Sequence, residues 1–213
     1  MKNLIVSAIV AIVFMTNNIS AQNNTTDVRD QLHFGVKAGL NLSNVYDEEG
    51  DQFNADAKFG FAAGAFASIP IGKFIGVQPE ILYSQRGFKA STVIFGHTYE
   101  YKRTLSYIDI PLLFAVKPIE TLTLLAGPQF SFLTNQKDTF TDGSSIAEQE
   151  TAFENDNLRK NTLCFTGGLD FNMSNVVLGA RAGWDLQQNK GDGTSTTPRY
   201  KNVWYQATLG FRF

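Results

Sequence analysis

A single cysteine, Cys164, in 213 residues rules out an internal disulfide, and with it a small scaffold stapled by cross-links. Two histidines, His33 and His97, leave no His/Cys cluster of the kind that holds zinc. No block of basic residues occurs. The 18 Lys and Arg stand against 20 Asp and Glu, for a formal net charge of −2, so the electrostatic footprint of a nucleic-acid binder is missing. Beyond residue 21 no apolar run approaches the roughly 18 residues that a membrane-spanning helix needs. The glycines fall singly within alternating segments, so no phosphate-cradling loop is present. No cofactor is expected.

The first 21 residues have the build of a secretory signal. Lys2 is a short positive head, Leu4 to Met15 is apolar apart from Ser7, and Ile19-Ser20-Ala21 offers a small residue for cleavage. Cleavage after Ala21 exposes Gln22 rather than a cysteine, so no lipid anchor is expected. Residues 22–31 are polar and read as a flexible leader. The remaining stretch, 32–213, has a length that suits one domain.

That domain alternates with period 2, the signature of strands with two unlike faces. In 33–44, Phe34, Val36, Ala38, Leu40 and Leu42 share one face, and Gly35, Lys37, Gly39, Asn41 and Ser43 share the other. The pattern recurs near 57–69, 74–87, 99–117, 121–134, 161–173, 175–188 and 202–213, which makes eight strands. The connections alternate long (45–56, 88–98, 135–160, 189–201) and short (near 70–73, 118–120, 174–175). Long outer loops, short periplasmic turns, an even strand count and both termini on one side are the rules of outer-membrane barrels. Each segment also meets the 9–11 tilted residues that cross the hydrocarbon. The expectation is therefore an all-β, eight-stranded antiparallel transmembrane barrel of OmpA/OmpX size, monomeric, in the outer membrane of a Gram-negative cell and solvated by outer-membrane lipids.

The two faces then have separate duties. Phe61, Ile81, Leu112, Leu124, Leu178 and Leu209 face lipid, and the abundance of Phe and Gly, 18 of each, suits an apolar belt around a crowded interior. Phe34, Phe59, Phe74, Tyr83, Tyr101, Tyr107, Trp184, Trp204 and Phe213 are candidates for interfacial girdles. Lys37, Glu80, Asp109, Asp170, Arg181 and Arg212 point inward in the inner half of the barrel. These three acids and three bases should pair, because an isolated charge inside a filled barrel is expensive. Glu80 and Arg181, joined by Asp109 or Arg212, are expected in one network. Pro111 falls on the inward face, where a bulge or a missing ladder bond must accommodate it.

The stretches GVQPEILYSQRG (76–87), SYIDIPLLFAVKP (106–118), LLAGPQFSFL (124–133) and LGFRF (209–213) resemble the outer-membrane β-barrel family labelled porin-family or PorT-like. The Gln-Pro-Glu of the third strand and the Ile-Asp-Ile-Pro of the fourth are the most specific. The resemblance covers essentially the whole of 32–213. It implies the fold and the location, and it implies that the terminal Phe213 is read by the barrel assembly machinery. It transfers no biochemical activity.

The chemistry-bearing residues point to little catalysis. His97 with Ser91 and Glu100 has the makings of a Ser-His-acid hydrolase site, but no motif marks the serine. Asp47, Glu48, Glu49, Asp51 and Asp56 crowd the first outer loop without the spacing of a calcium loop. The expected role is non-enzymatic: a closed barrel that presents its long loops to an envelope or extracellular protein. A narrow pore for ions or very small solutes is the alternative, and an outer-membrane lipid hydrolase a distant third.

Overall fold

The computed structural model describes residues 27–47, 55–94, 97–142, 145–151, 160–188 and 200–213; the signal expected at 1–21 lies outside them. A short 3-10 turn (Val28–Asp30) precedes nine strands: β1 (His33–Asp47), β2 (Asp56–Pro70), β3 (Ile75–Ile94), β4 (His97–Ile119), β5 (Leu122–Asp142), β6 (Ser145–Thr151), β7 (Asn161–Met173), β8 (Val176–Asp185) and β9 (Tyr200–Arg212). Eight of them, all but β6, pair antiparallel in a closed ring. β1 closes it, pairing with β2 along Ser43↔Lys58 to His33↔Ser68 and with β9 along Asp47↔Tyr200 to Gly35↔Arg212. The seam is finished by reciprocal backbone bonds between Phe34 and Phe213, of 3.3 and 2.9 Å. Closure leaves no strand edge in the lipid, where unpaired backbone groups would be costly.

The short connections, at 71–74, 120–121 and 174–175, share one end of the barrel with the start of β1 and the end of β9. Under the outer-membrane rule this is the periplasmic end. The alternation predicts the outer wall well. Phe61, Ile81, Leu112, Leu124, Leu178 and Leu209 are all between 43 and 59 % exposed, which for apolar side chains on a closed barrel means contact with lipid. Leu124→Arg, on the lipid face between the periplasmic turn and the midplane, should cost about 1–3 kcal/mol. Urea titration of the protein folded in lipid vesicles measures this; an unchanged midpoint would contradict the face assignment.

Two details differ from the sequence reading, and a third decides between the alternatives it left open. Tyr107 and Trp204 are only 2 % exposed and lie in the lumen rather than in a girdle; both fall in inward phase on their strands. Two long loops are partly strand. β3 and β4 run on as a hairpin to Ile94↔His97, and β5 continues to Asp142 and folds back into β6. These extensions carry polar residues on both faces, with no sustained apolar alternation to reveal them. At Pro111 the β3–β4 ladder lacks the pairs between Pro79↔Leu112 and Leu82↔Asp109 but resumes in the same phase. The proline is therefore accommodated by missing ladder bonds and not by a bulge.

A close approach and a positive φ each need glycine. Gly183 lies beneath Trp204, where an added Cβ would sit 2.3 Å from the indole ring. Gly87, in β3, has φ +145° and a virtual Cβ 2.0 Å from the Arg103 carbonyl oxygen. Both its backbone N–H and its carbonyl bond the Ser43 hydroxyl at 2.9 Å.

Candidate functional site

The interior is filled in layers, starting at the periplasmic mouth. The end of the expected flexible leader is tied down there. Arg29 reaches across to the carbonyl of Pro118 at 3.1 Å, and the Lys117 ammonium returns a bond to the Arg29 carbonyl at 3.0 Å. Asp27 pairs with Arg29 and, at 2.9 Å, with Lys73, while the Arg29 guanidinium lies 5.0 Å above the Phe74 ring. The bonds from Arg29 and then Lys73 hold the Asp27 carboxyl well below the usual carboxylate range. With a depressed folded pKa, the clamp's contribution is complete above the unperturbed value of about 3.9 and is lost only as pH falls through the lower folded one. Amide exchange at 28–30 should therefore stay slow from neutral pH to below pH ~4, and Asp27→Asn should speed it at neutral pH. Equal exchange in the variant would contradict the clamp.

Above the clamp is a cavity of about 20 Å³, lined by Arg29, Gln78, Lys117, Asp170 and Arg212 among others, room for about one water. Next comes a four-charge layer. Lys37 of β1 pairs with Glu80 of β3; Arg181 of β8 bonds Asp170 of β7 at 2.8 Å and stands 3.8 Å from Glu80. Gln78 bridges the two carboxylates, donating to Glu80 at 2.9 Å and Asp170 at 3.2 Å. Two cations and two carboxylates thus cross the lumen from β1 to β8. All four side chains are no more than 7 % exposed, so each needs its partner.

The structure brings together Lys37, Glu80, Asp170 and Arg181 and leaves the other two expected members elsewhere. Asp109 sits a level higher, opposite Leu82, where it pairs with Arg86 and accepts from Ser84. Arg212 is at the periplasmic rim, where its Nε donates to the Ser174 carbonyl at 2.7 Å. As the last residue of β9 it lines the cavity below the four-charge layer and does not join that layer.

Arg86 was not expected as a member, although its parity with Gln78 and Glu80 marks it as inward. It is 1 % exposed, with its guanidinium 3.6 Å from the Trp204 ring centroid and 4.9 Å from that of Tyr107. Its Nε and Nη1 have no hydrogen-bond partner; the aromatic faces and the Asp109 carboxylate stand in for water. Beside it, Asp185 accepts from the Asn202 backbone at 3.0 Å and from the Cys164 thiol at 3.2 Å. Cys164, fully buried, also contacts Ser131 at 3.4 Å.

The outer mouth is apolar. Val45, Phe88, Leu105, Tyr107 and Tyr200 form a buried cluster backed by Ala55, Tyr101 and Leu133. Arg103 braces it, bonding both oxygens of Asp138 at 2.8 Å and the Tyr200 hydroxyl at 3.3 Å. A two-point guanidinium–carboxylate pair fixes geometry as well as charge.

The other candidate residues do not converge. Ser91 and Glu100 oppose one another on β3 and β4, with His97 three pairs further along the hairpin. Glu48, Glu49 and Asp51 lie outside the described residues, and Asp56 is exposed opposite Lys89. Among the described residues no group of three His, Cys, Asp or Glu side chains is gathered for a metal ion. His33 lines the periplasmic vestibule.

Comparison with known proteins agrees with this architecture. Residues 20–191 match the family described as outer membrane protein beta-barrel domain. Comparison with curated protein sequences gives no match. Among solved structures, Neisserial surface protein A superposes with a TM-score of 0.50 at 14 % identity, over 84 % of this chain and 97 % of that one. Ail, the attachment invasion locus protein of Yersinia pestis, crystallised with the heparin analogue sucrose octasulfate, gives 0.48 at 15 % identity, over 86 % and 99 %. The outer membrane protein OprG of Pseudomonas aeruginosa gives 0.38 at 12 % identity, over 85 % and 95 %. At such identities the likeness to Neisserial surface protein A is one of fold. With a closed ring of eight strands, a lipid-facing apolar wall and a family match over most of its length, the chain belongs to the outer membrane protein beta-barrel domain family and resides in the outer membrane.

Proposed function

We propose that the protein is a closed, non-catalytic barrel that holds an interaction platform above the outer membrane. The observation that supports this is the unequal height of the strands. β2 and β3 last pair at Asp56↔Lys89, and β5 and β7 at Phe132↔Asn161. Beyond those points β3, β4, β5 and β6 continue alone, with ladders reaching Ile94↔His97, Tyr99↔Asp142 and Asp142↔Ser145. A four-stranded sheet therefore rises from the barrel wall, and among the described residues its two edges, on β3 and β6, are unpaired. Unpaired edges are templates for a partner's strand. The bracing of Arg103, Asp138 and Tyr200 holds the base of this sheet rigid, which lowers the ordering cost of binding. Within the family we place the chain with the PorT-like members, on the Gln-Pro-Glu and Ile-Asp-Ile-Pro stretches alone, and assign it no secretion role. Phe213, paired at the seam, is proposed as the residue read by the assembly machinery.

The test is to join Lys89 to Lys102 through an Asn-Gly turn, which removes the hairpin beyond the rim. The shortened barrel should fold in lipid as the wild type does. In cells it should reproduce whatever adhesion or envelope defect a deletion strain shows. Full complementation of such a defect by the shortened barrel would contradict the platform reading.

A further inference from the structure

The cavity at the periplasmic mouth has an unbalanced lining. Arg29, Lys117 and Arg212 border it together with Glu120 and Asp170. Two of these charges are already matched: Arg29 by Asp27, and Asp170 by Arg181 and Gln78. Glu120, on the turn after β4, is exposed and makes no ion pair among the described residues. Lys117 and Arg212 remain. Lys117 is 5 % exposed, and its ammonium donates to the Arg29 carbonyl at 3.0 Å. Arg212, half-buried, donates through Nε to the Ser174 carbonyl at 2.7 Å. Both acceptors are neutral, and among the described residues neither cation forms an ion pair. Further inside, Lys37, Arg86 and Arg181 each meet a carboxylate. A neutral donor faces the same space. Thr123, also buried, lines the cavity and accepts a bond from Asn172 at 3.0 Å. Its own O–H is thereby left to donate, and no acceptor for it stands among the described residues.

The size of the cavity limits what can supply the missing charge. About 20 Å³ holds one guest the size of a water molecule and excludes a polyatomic anion. A cation removed from water is costly without a counter-charge, so a small anion is favoured there over a water. We propose that this vestibule binds one monatomic anion, chloride in the cell, between Lys117 and Arg212, with the Thr123 hydroxyl as a third donor. The site is tied to the docked leader. Lys117 also holds the Arg29 carbonyl, and Arg29 borders the same cavity. An anion that fixes the Lys117 ammonium therefore stabilises the docked leader, and the docked leader favours the anion in return.

The protein folded in nonionic detergent micelles, with empty micelles as background, tests this. Chloride NMR should show saturable excess line broadening in the wild type, reversed by bromide. The broadening should fall to background in Arg212→Gln and in Lys117→Gln. Amide exchange across Val28–Asp30 gives a second readout at constant ionic strength. Sodium chloride in place of sodium gluconate, whose anion is too large for the cavity, should slow that exchange. The factor should be about fivefold at a chloride concentration about four times Kd. Arg212→Gln, which leaves the bond from Lys117 to Arg29 in place, should remove the dependence on chloride. Excess broadening equal in the wild type and both variants would show adventitious surface binding only and overturn the proposal. No excess broadening, with exchange equally slow in gluconate and chloride, would show that a water fills the cavity and would overturn it as well. Both wild-type comparisons stand whether or not a variant folds.

Discussion

Glu80→Ala should cost about 3–5 kcal/mol of stability, because it leaves other buried charges behind. Glu80 is the one carboxylate shared by Lys37 and Arg181, and Gln78 donates to it as well. Deleting it leaves Lys37 without an acid and Arg181 with Asp170 only. The loss would be smaller if water entered from the vestibule next to Asp170. Glu80→Gln should cost less, since it keeps an acceptor for Gln78 and for the ammonium. Adding Lys37→Met to Glu80→Ala should recover part of the loss, since the stranded cation is then gone. Urea unfolding in lipid vesicles, run as a double-mutant cycle, checks all three. Strictly additive losses from Glu80→Ala and Lys37→Met would show that the two side chains are hydrated independently and that the layer is not a network.

Arg86→Leu should be of similar size, again about 3–5 kcal/mol in a dry site. It removes the cation paired with Asp109 and leaves that carboxylate with the Ser84 hydroxyl as its hydrogen-bond partner. It also removes the guanidinium stacked on Trp204 and facing Tyr107, a contact of about 2 kcal/mol or more when desolvated. Arg86→Lys should rescue poorly, because a compact ammonium cannot both stack flat on the indole and reach Asp109. Urea unfolding measures the stability of both variants, and tryptophan emission in a Trp184→Phe background reports the environment of Trp204. A lysine variant as stable as the wild type would contradict the stacked geometry.

Much of this was legible in the sequence, and the boundary of legibility has a physical cause. Where strands cross lipid, the outward side chain must be apolar and the inward one need not be. The register of Phe34, Val36, Leu40 and Leu42 against Lys37, Asn41 and Ser43 can therefore be read by eye. The same parity places Arg86, Tyr107 and Trp204 inside, but an aromatic residue near a strand end also fits an interfacial girdle, and that preference misplaced two of them. The membership of the charge layers was harder. Parity fixes which face a residue takes, whereas its height depends on stagger between strands, which a sequence does not display. Hence Asp109 pairs one level above Glu80, and Arg212 stays at the rim. Past the outer leaflet the lipid constraint disappears. The hairpin β5–β6, built from DTFTDGSSIAEQET, is mostly polar, shows no apolar alternation and reads as loop. The docking of Asp27 and Arg29 was equally hidden, since their partners are remote in sequence: Lys73 on a turn, and Lys117 and Pro118 at the end of β4.

The central claim is that the charge layers and the apolar outer cluster close the cylinder. Eight strands give an interior just wide enough to be filled by side chains, and here the filling includes Lys37, Glu80, Asp170 and Arg181 across the inner half and Arg86 stacked on Trp204 above them. Planar-bilayer recording tests this most directly, using protein shown to be folded by its unfolding transition in vesicles. The wild type should show no steady conductance, and Glu80→Ala or Arg181→Ala should introduce brief openings as the layer loosens. Steady conductance from the wild type, unchanged in Glu80→Ala and Arg181→Ala, would contradict the closed barrel and favour a narrow pore.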